Sequence, residues 1–191
     1  GTQRGGTIKI LGGKITAQSA YSSYSDYALD IGRGRNGING TVLIDDEAIV
    51  SLESKGVDAS VTTLGTCIIK GAGAGAQTGY YEDGTRLASA VIDFEASTLS
   101  SGPGYSVSGN TVTLSGSGNT YALVGGTTNR SVTVASGSSA NVILFAADIA
   151  PASGCAFNIA GATVNMRLMH DNVLSSGADF AGIQAPFGSA L

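Results

Sequence analysis

The chain has 191 residues, enough for one large domain or two small ones and for a real buried core. Charge is scarce and nearly balanced at a formal −4, and the ten basic residues are scattered, which argues against nucleic acid as a partner. Twenty-nine glycines, no tryptophan and an abundance of Ser, Thr, Val and Ile disfavour helices and favour short strands joined by tight turns.

The first phrase, TIKILGGKITAQ (7–18), is two alternating runs separated by a Gly-Gly pair. Thirty-four positions on, TVLIDDEAIVSL repeats it. Ile8 answers to Val42, Ile10 to Ile44 and Ile15 to Ile49, while Asp46-Glu47 replaces Gly12-Gly13. YALDIG (27–32) aligns with TCIIKG (66–71) at an offset of 39. AVIDFE, YSVSG, TVTLSG, YALVGG and SVTVAS continue the period-two pattern, with Gly, Ser, Asn and Asp between them. VILFAADI (142–149) then aligns with MRLMHDNV (166–173) at an offset of 24, placing Val142 over Met166, Leu144 over Leu168 and Asp148 over Asn172. AFNIAG and AGIQAP are related by 25, with Ala156 over Ala181.

Repeats of about two dozen residues, three short strands per turn and sharp corners describe a parallel β-helix, or β-solenoid, whose turns stack at about 4.8 Å. A β-sandwich is the alternative, although it has no reason to repeat at this spacing. Longer offsets follow if QSAYSSYSDY (18–27) and GAGAGAQTGYYEDGT (71–85) bulge outward as corner loops. STLSSGPG breaks the pattern and divides the chain into sub-regions 1–98 and 99–191. Cys67 and Cys155 lie 88 positions apart, several turns of such a stack, and a disulfide needs Cα atoms within about 7 Å, so two free thiols are expected. The absence of CxxC or Cys/His spacing leaves zinc and redox chemistry unsupported. No apolar run approaches the roughly 20 residues that span a bilayer. The start at Gly1 within repeat-like sequence, without a signal segment, suggests a piece of something longer.

The GGTIKILGGKITA…ALDIGRGRNGINGTVLI phrase and the stretch from GYSVSGNTVTLSG to GIQAPFGSAL resemble modules of bacterial extracellular β-helical, carbohydrate-binding surface proteins. The resemblance covers most of the chain and rests on Gly, Ala, Thr and aliphatic residues, which specify geometry more than chemistry. It implies a right-handed parallel β-helix, exported, that binds glycans or serves as an adhesive or structural stalk, sometimes with calcium. Where such proteins carry GIGGG this chain has DIGRGRNG, which adds Asp30, Arg33 and Arg35 at one corner.

Among side chains with chemistry, the tyrosines come first. Tyr21, Tyr24 and Tyr27 share one loop and Tyr80 and Tyr81 another, with Asp26, Glu82, Asp83 and Arg86 beside them. A flat ring with a polar tip suits the C–H face of a sugar, and it equally suits packing within its own loop or against a second subunit. Asp45, Asp46 and Glu47 gather three carboxylates at a corner, a weak calcium candidate without EF-hand spacing. Asp93 and Glu95 alternate to one face opposite Phe94, as in polysaccharide-cleaving β-helices, yet no companion base is identifiable. His170, the one histidine, precedes Asp171-Asn172 near a strand end, which favours a corner residue bonding a backbone carbonyl over a catalyst. GAGAGA and GRGRNGING open no helix and lack Gly-Lys-Ser/Thr, so they read as positive-φ corners rather than phosphate loops.

These readings converge on a non-enzymatic bacterial module, secreted or at the cell surface, that binds a polysaccharide or a host or matrix glycan and needs no cofactor. The expected contacts are the tyrosine loops, with Asp30, Arg33 and Arg35 as a secondary patch. The rival is a self-assembling fibre or surface-layer protein, because uncapped ends would template end-to-end addition of further copies. A lyase or hydrolase ranks third.

Overall fold

The computed structural model describes residues 6–18, 31–32, 40–45, 47–52, 57–58, 60–71, 78–88 and 90–191. These residues form an all-β protein in which most strand pairs are parallel, and the chain divides into two compact units, Gly1–Ser89 and Ala90–Leu191. The STLSSGPG segment lies within the second unit.

The first unit contains β1 (Thr7–Leu11), β2 (Lys14–Ala17), β3 (Ile31–Gly32), β4 (Thr41–Asp45) and β5 (Ala48–Leu52). It continues with β6 (Val57–Asp58), β7 (Ser60–Thr63), β8 (Thr66–Lys70), β9 (Gly79–Glu82) and β10 (Thr85–Ala88). Three sheets result, ordered β1-β4-β7, β10-β9-β8-β5-β2 and β3-β6. Like positions meet across the parallel pairs. Ile8 faces Val42 and Val42 faces Val61, while Ile15 faces Val50 and Val50 faces Ile69. Alternation sends Val42, Ile44, Ala48, Val50, Leu52, Cys67 and Ile69 into one core, each worth about 1.5–3 kcal/mol when a large aliphatic is fully buried.

The second unit contains β11 (Ala90–Asp93), β12 (Tyr105–Ser108), β13 (Thr111–Leu114), β14 (Asn119–Thr127) and β15 (Ser131–Val134). After them come β16 (Ser139–Ile149), β17 (Phe157–Asn158), β18 (Thr163–Met169), β19 (Val173–Leu174) and β20 (Ile183–Gln184). One sheet runs β11-β14-β16-β18, with β19 also pairing β16, and the other runs β12-β13-β15-β17-β20. The columns Ile92–Leu123–Leu144–Leu168 and Val112–Val132–Phe157–Ile183 are successive partners in these ladders. Leu123, Val132 and Phe157 have no exposed surface.

The aligned phrases pair largely as the repeats suggest, with four departures. Ile15 faces Val50 rather than Ile49, because two residues separate Leu11 from Lys14 while three separate Asp45 from Ile49. Glu47, at φ 66°, belongs to that longer corner. Asp148 faces Val173 rather than Asn172, and Phe157 faces Ile183, so the offset there is 26. The first of these slips comes from the partner strand, where four steps lead from Met169 to Val173 against three from Phe145 to Asp148; Ala146, at φ 51°, is an extra residue on the other side of β16, against β14. Ile31 pairs with Val57, and Cys67 with Ala48, so the 39-residue alignment of YALDIG with TCIIKG is not a ladder.

Antiparallel pairing also enters at two places. Residues 79–85, expected within an outward loop, belong to the hairpin β9–β10, which spans 79–88 and pairs through β9 with β8. Its turn is Asp83-Gly84, with both residues at positive φ (46° and 79°), the geometry that suits the right-handed twist of the flanking strands. A second hairpin, β12–β13, turns at Gly109-Asn110.

Both cysteines are free, Cys67 buried and Cys155 half-buried. Burial, reinforced by the nearby Asp45 carboxylate, pushes the Cys67 thiol up to about 12. At pH 8 a thiol reagent is therefore expected to label Cys155 alone in native protein and both residues in urea, read by mass spectrometry. The same shift makes folding stability fall as pH rises from about 9 toward 12, because only the unfolded chain then releases this proton readily.

Candidate functional site

The strand ends at one corner of the second unit create a concavity. The turn after β11, the segment after β14 and the end of β16 stand beside one another because β11, β14 and β16 are consecutive in one sheet. Together they line a cleft of about 450 Å³ whose polar groups come from Ser97, Thr127, Thr128, Asn129, Arg130 and Asp148. Phe94 lies in its wall but is only 3% exposed, since its ring belongs to the core.

Local bonds hold these groups in place. The Arg130 guanidinium donates to the carbonyls of Phe94 and Ala96, both at 3.4 Å, which ties the base of the cleft to the preceding rung. Thr127 Oγ1 donates to Asn129 Oδ1 at 3.0 Å, and the Asn129 amide returns to Thr127 Oγ1 at 3.4 Å. On the neighbouring rung, Asp93 Oδ1 accepts from the Glu95 amide at 3.1 Å. Gly125, at φ 80°, lies under the Glu95 side chain, and a Cβ there would stand 2.7 Å from Glu95 Cγ. Asp148 is exposed opposite Gly126, its ladder partner. The arrangement joins a cation, a carboxylate, an amide and hydroxyls in one cleft, a set able both to donate to and to accept from a polyhydroxylated ligand.

The residues singled out from sequence fare differently. Tyr21, Tyr24, Tyr27, Asp30, Arg33, Arg35 and Asp46 lie outside the described residues. Tyr80 and Tyr81 are neighbours in β9, so the strand sends them to opposite faces and they cannot present one continuous stacking surface. Tyr80 is fully buried and offers no ring face to a ligand, while the partly buried Tyr81 packs against the core of the first unit. Glu82 leads into the hairpin turn, Asp83 is its first residue, and Arg86 donates to the Thr78 carbonyl. Asp45 and Glu47 flank the corner between β4 and β5, and among the described residues no three His, Cys, Asp or Glu side chains group to hold a metal ion.

His170 sits at φ 61° just beyond β18, its ring edge-on to Phe145 at 4.6 Å. A polar corner beside Asp148 centres on Asn172. Its Oδ1 accepts from the Ala147 amide at 2.8 Å, and its Nδ2 donates to the carbonyls of Met169 and His170 at 3.0 and 2.9 Å. This amide takes up backbone groups where pairing along β16 breaks between Phe145–Met169 and Asp148–Val173.

Among the described residues no helix is long and apolar enough to cross a membrane. Comparison with protein-family models, curated proteins and solved structures yields no match.

Proposed function

We propose that this chain is a non-enzymatic extracellular bacterial surface module that binds a polysaccharide or a host or matrix glycan, carried on a right-handed parallel β-helix. The observation that carries the binding reading is the cleft of Ser97, Thr127, Thr128, Asn129, Arg130 and Asp148. A carboxylate accepts from sugar hydroxyls, a guanidinium donates to them, and short hydroxyl and amide side chains do either. The set carries both signs of charge and therefore favours a neutral sugar over a uronate or a sulfated one. Support for the coil comes from the parallel ladders, whose partners recur about 19 to 35 positions apart, from Thr41 and Ser60 to Lys14 and Ile49. A sandwich of two opposed antiparallel layers has no such series.

The test is a glycan-array screen of the wild type beside Asp148→Ala, followed by titration calorimetry on the best neutral glycan. Loss of one charged hydrogen-bonding group is expected to weaken binding by about ten- to a hundredfold. Equal binding by both proteins would remove the cleft, and no binding by the wild type to any glycan would remove the function.

A further inference from the structure

The two charges of the cleft belong to different rungs. The Arg130 guanidinium is tied to the carbonyls of Phe94 and Ala96, in the turn after β11, whereas Asp148 stands on β16. Between β11 and β16 runs β14, whose Gly126 faces Asp148 across the ladder. A guanidinium and a carboxylate that share a cleft attract one another. Yet among the described residues neither meets an opposite charge within ion-pair distance, since carbonyls alone take the guanidinium and the Asp148 side chain is exposed. Asp93 and Glu95 stand over Gly125 and do not line the cleft.

Gly126 keeps the space between the two charges open. Partners in a parallel ladder send their side chains to one side, so a Cβ on Gly126 would stand beside Asp148. Its nearest neighbours would be the Asp148 carbonyl oxygen and Cβ, at 3.7 and 3.8 Å, which is ordinary contact. The φ of Gly126 is not positive, so neither packing nor backbone conformation demands glycine there. At Gly125, by contrast, φ is 80° and an added Cβ would stand 2.7 Å from Glu95 Cγ. What glycine provides at 126 is bare backbone as a floor in the cleft.

The ligand follows from this spacing. Strands two rungs apart are separated by on the order of 10 Å. A charge-assisted hydrogen bond of about 2.8 Å at each end leaves roughly 4–6 Å between the charged groups of the ligand itself, the span of a pyranose ring substituted on both sides. An uncharged sugar would desolvate both protein charges and return only neutral hydrogen bonds. A sugar with a single charge would compensate one and leave the other.

We infer that the cleft takes a zwitterionic saccharide, with its ammonium on Asp148, its carboxylate on Arg130 and its ring over Gly126. The inference rests on the glycan-binding reading of this cleft and narrows it, from a ligand of zero net charge to one whose neutrality comes from two opposite charges.

The probe is the methyl glycoside of glucosaminuronic acid, which carries an amine and a carboxylate on one ring, compared with its N-acetylated form and its methyl ester. Nuclear magnetic resonance titration of the full chain at about pH 6, where the amine is charged, measures all three. The zwitterion is expected to bind at least about tenfold more tightly than either capped form. Asp148→Asn should abolish the preference for the free amine and keep the preference for the carboxylate, and Arg130→Gln should do the reverse. Gly126→Ala, which adds a methyl group to the floor, should weaken the zwitterion by about tenfold or more while leaving the urea unfolding midpoint unchanged. A zwitterion that binds no better than its capped forms, or not at all, overturns the inference. An Asp148→Asn variant that weakens all three ligands equally overturns it as well, as does a Gly126→Ala variant that binds like the wild type. The broader glycan reading survives these results if an uncharged glycan binds the wild type and loses affinity in Asp148→Ala, so the two failures are distinct.

Discussion

Leu144→Ala is expected to destabilise the protein by about 3–5 kcal/mol, whereas Leu168→Ala in dilute protein should change stability by less than about 0.5 kcal/mol. Both residues occupy one column, facing each other across the β16–β18 ladder. Leu144 has a rung on either side, Leu123 and Leu168, and is 1% exposed. Truncation there removes the transfer free energy of the side chain and leaves a void that backbone ladders on both sides cannot close. Leu168 has a neighbour on one side only and is already 62% exposed, so water fills the space its side chain vacates. Urea denaturation followed by circular dichroism measures both variants. Equal costs would mean that the column does not end where the structure ends it.

Asn172→Ala should cost about 1–3 kcal/mol, while Asn165→Ala, on the same stretch of chain, should cost under about 1 kcal/mol. Asn172 gives three bonds to backbone: one to Ala147 and two to the carbonyls of Met169 and His170. Without it, the Ala147 amide loses its partner within a partly buried bulge, and a polar group left unsatisfied there is dearer than the bond itself is favourable. Asn165 makes an exposed amide–amide contact with Asn141 at 3.1 Å, which water replaces at little loss. The same denaturation experiment distinguishes the two, and similar values would deny the corner its structural role.

A third corner shows how close packing, rather than pattern, selects residues. Tyr121 is fully buried, and its hydroxyl donates to the Gly104 carbonyl at 2.7 Å and accepts from the Gly116 amide at 3.0 Å. A Cβ on Gly104, at φ 76°, would stand 2.1 Å from Asn119 Nδ2, and one on Gly116 2.0 Å from the same atom. Glycine at both positions lets three chain segments meet around one phenol.

The strands and several of their partners were legible in the sequence because one side of each is buried. Burial forces period-two alternation, and stacking forces like residues into like columns, so Ile8 with Val42 and Leu144 with Leu168 can be read directly. Register by counting fails at corners. One residue more after Asp45, or one more between Met169 and Val173, shifts the later partners by one without leaving an apolar signature. The β9–β10 hairpin did leave a signal: Asp-Gly between two alternating runs marks a tight two-residue turn, and it outweighs the glycine-rich sequence before it. Tyr80 and Tyr81 are adjacent in a strand, and adjacency there means opposite faces.

The cleft was not legible at all. Its polar residues come from Ser97, the Thr127–Arg130 segment and Asp148, and only the ladder joining three strands brings them together. Asp148 stood out in the sequence as part of a repeat, and Arg130 and Asn129 not at all, because a solvated turn and a binding wall have the same composition.

The unequal spacing of equivalent strands has a consequence for how such a chain can change over generations. Thirty-four positions separate Thr7 from its partner Thr41, but only nineteen separate Thr41 from Ser60, and the column Ile8–Val42–Val61 runs through all three strands. The intervals between strands can therefore differ by fifteen residues while the column they feed is kept. Within a strand a single deletion turns every following side chain inside out. Selection then acts on two separate length scales: free variation at the periphery, where new recognition surfaces arise, and gain or loss of complete rungs in the interior.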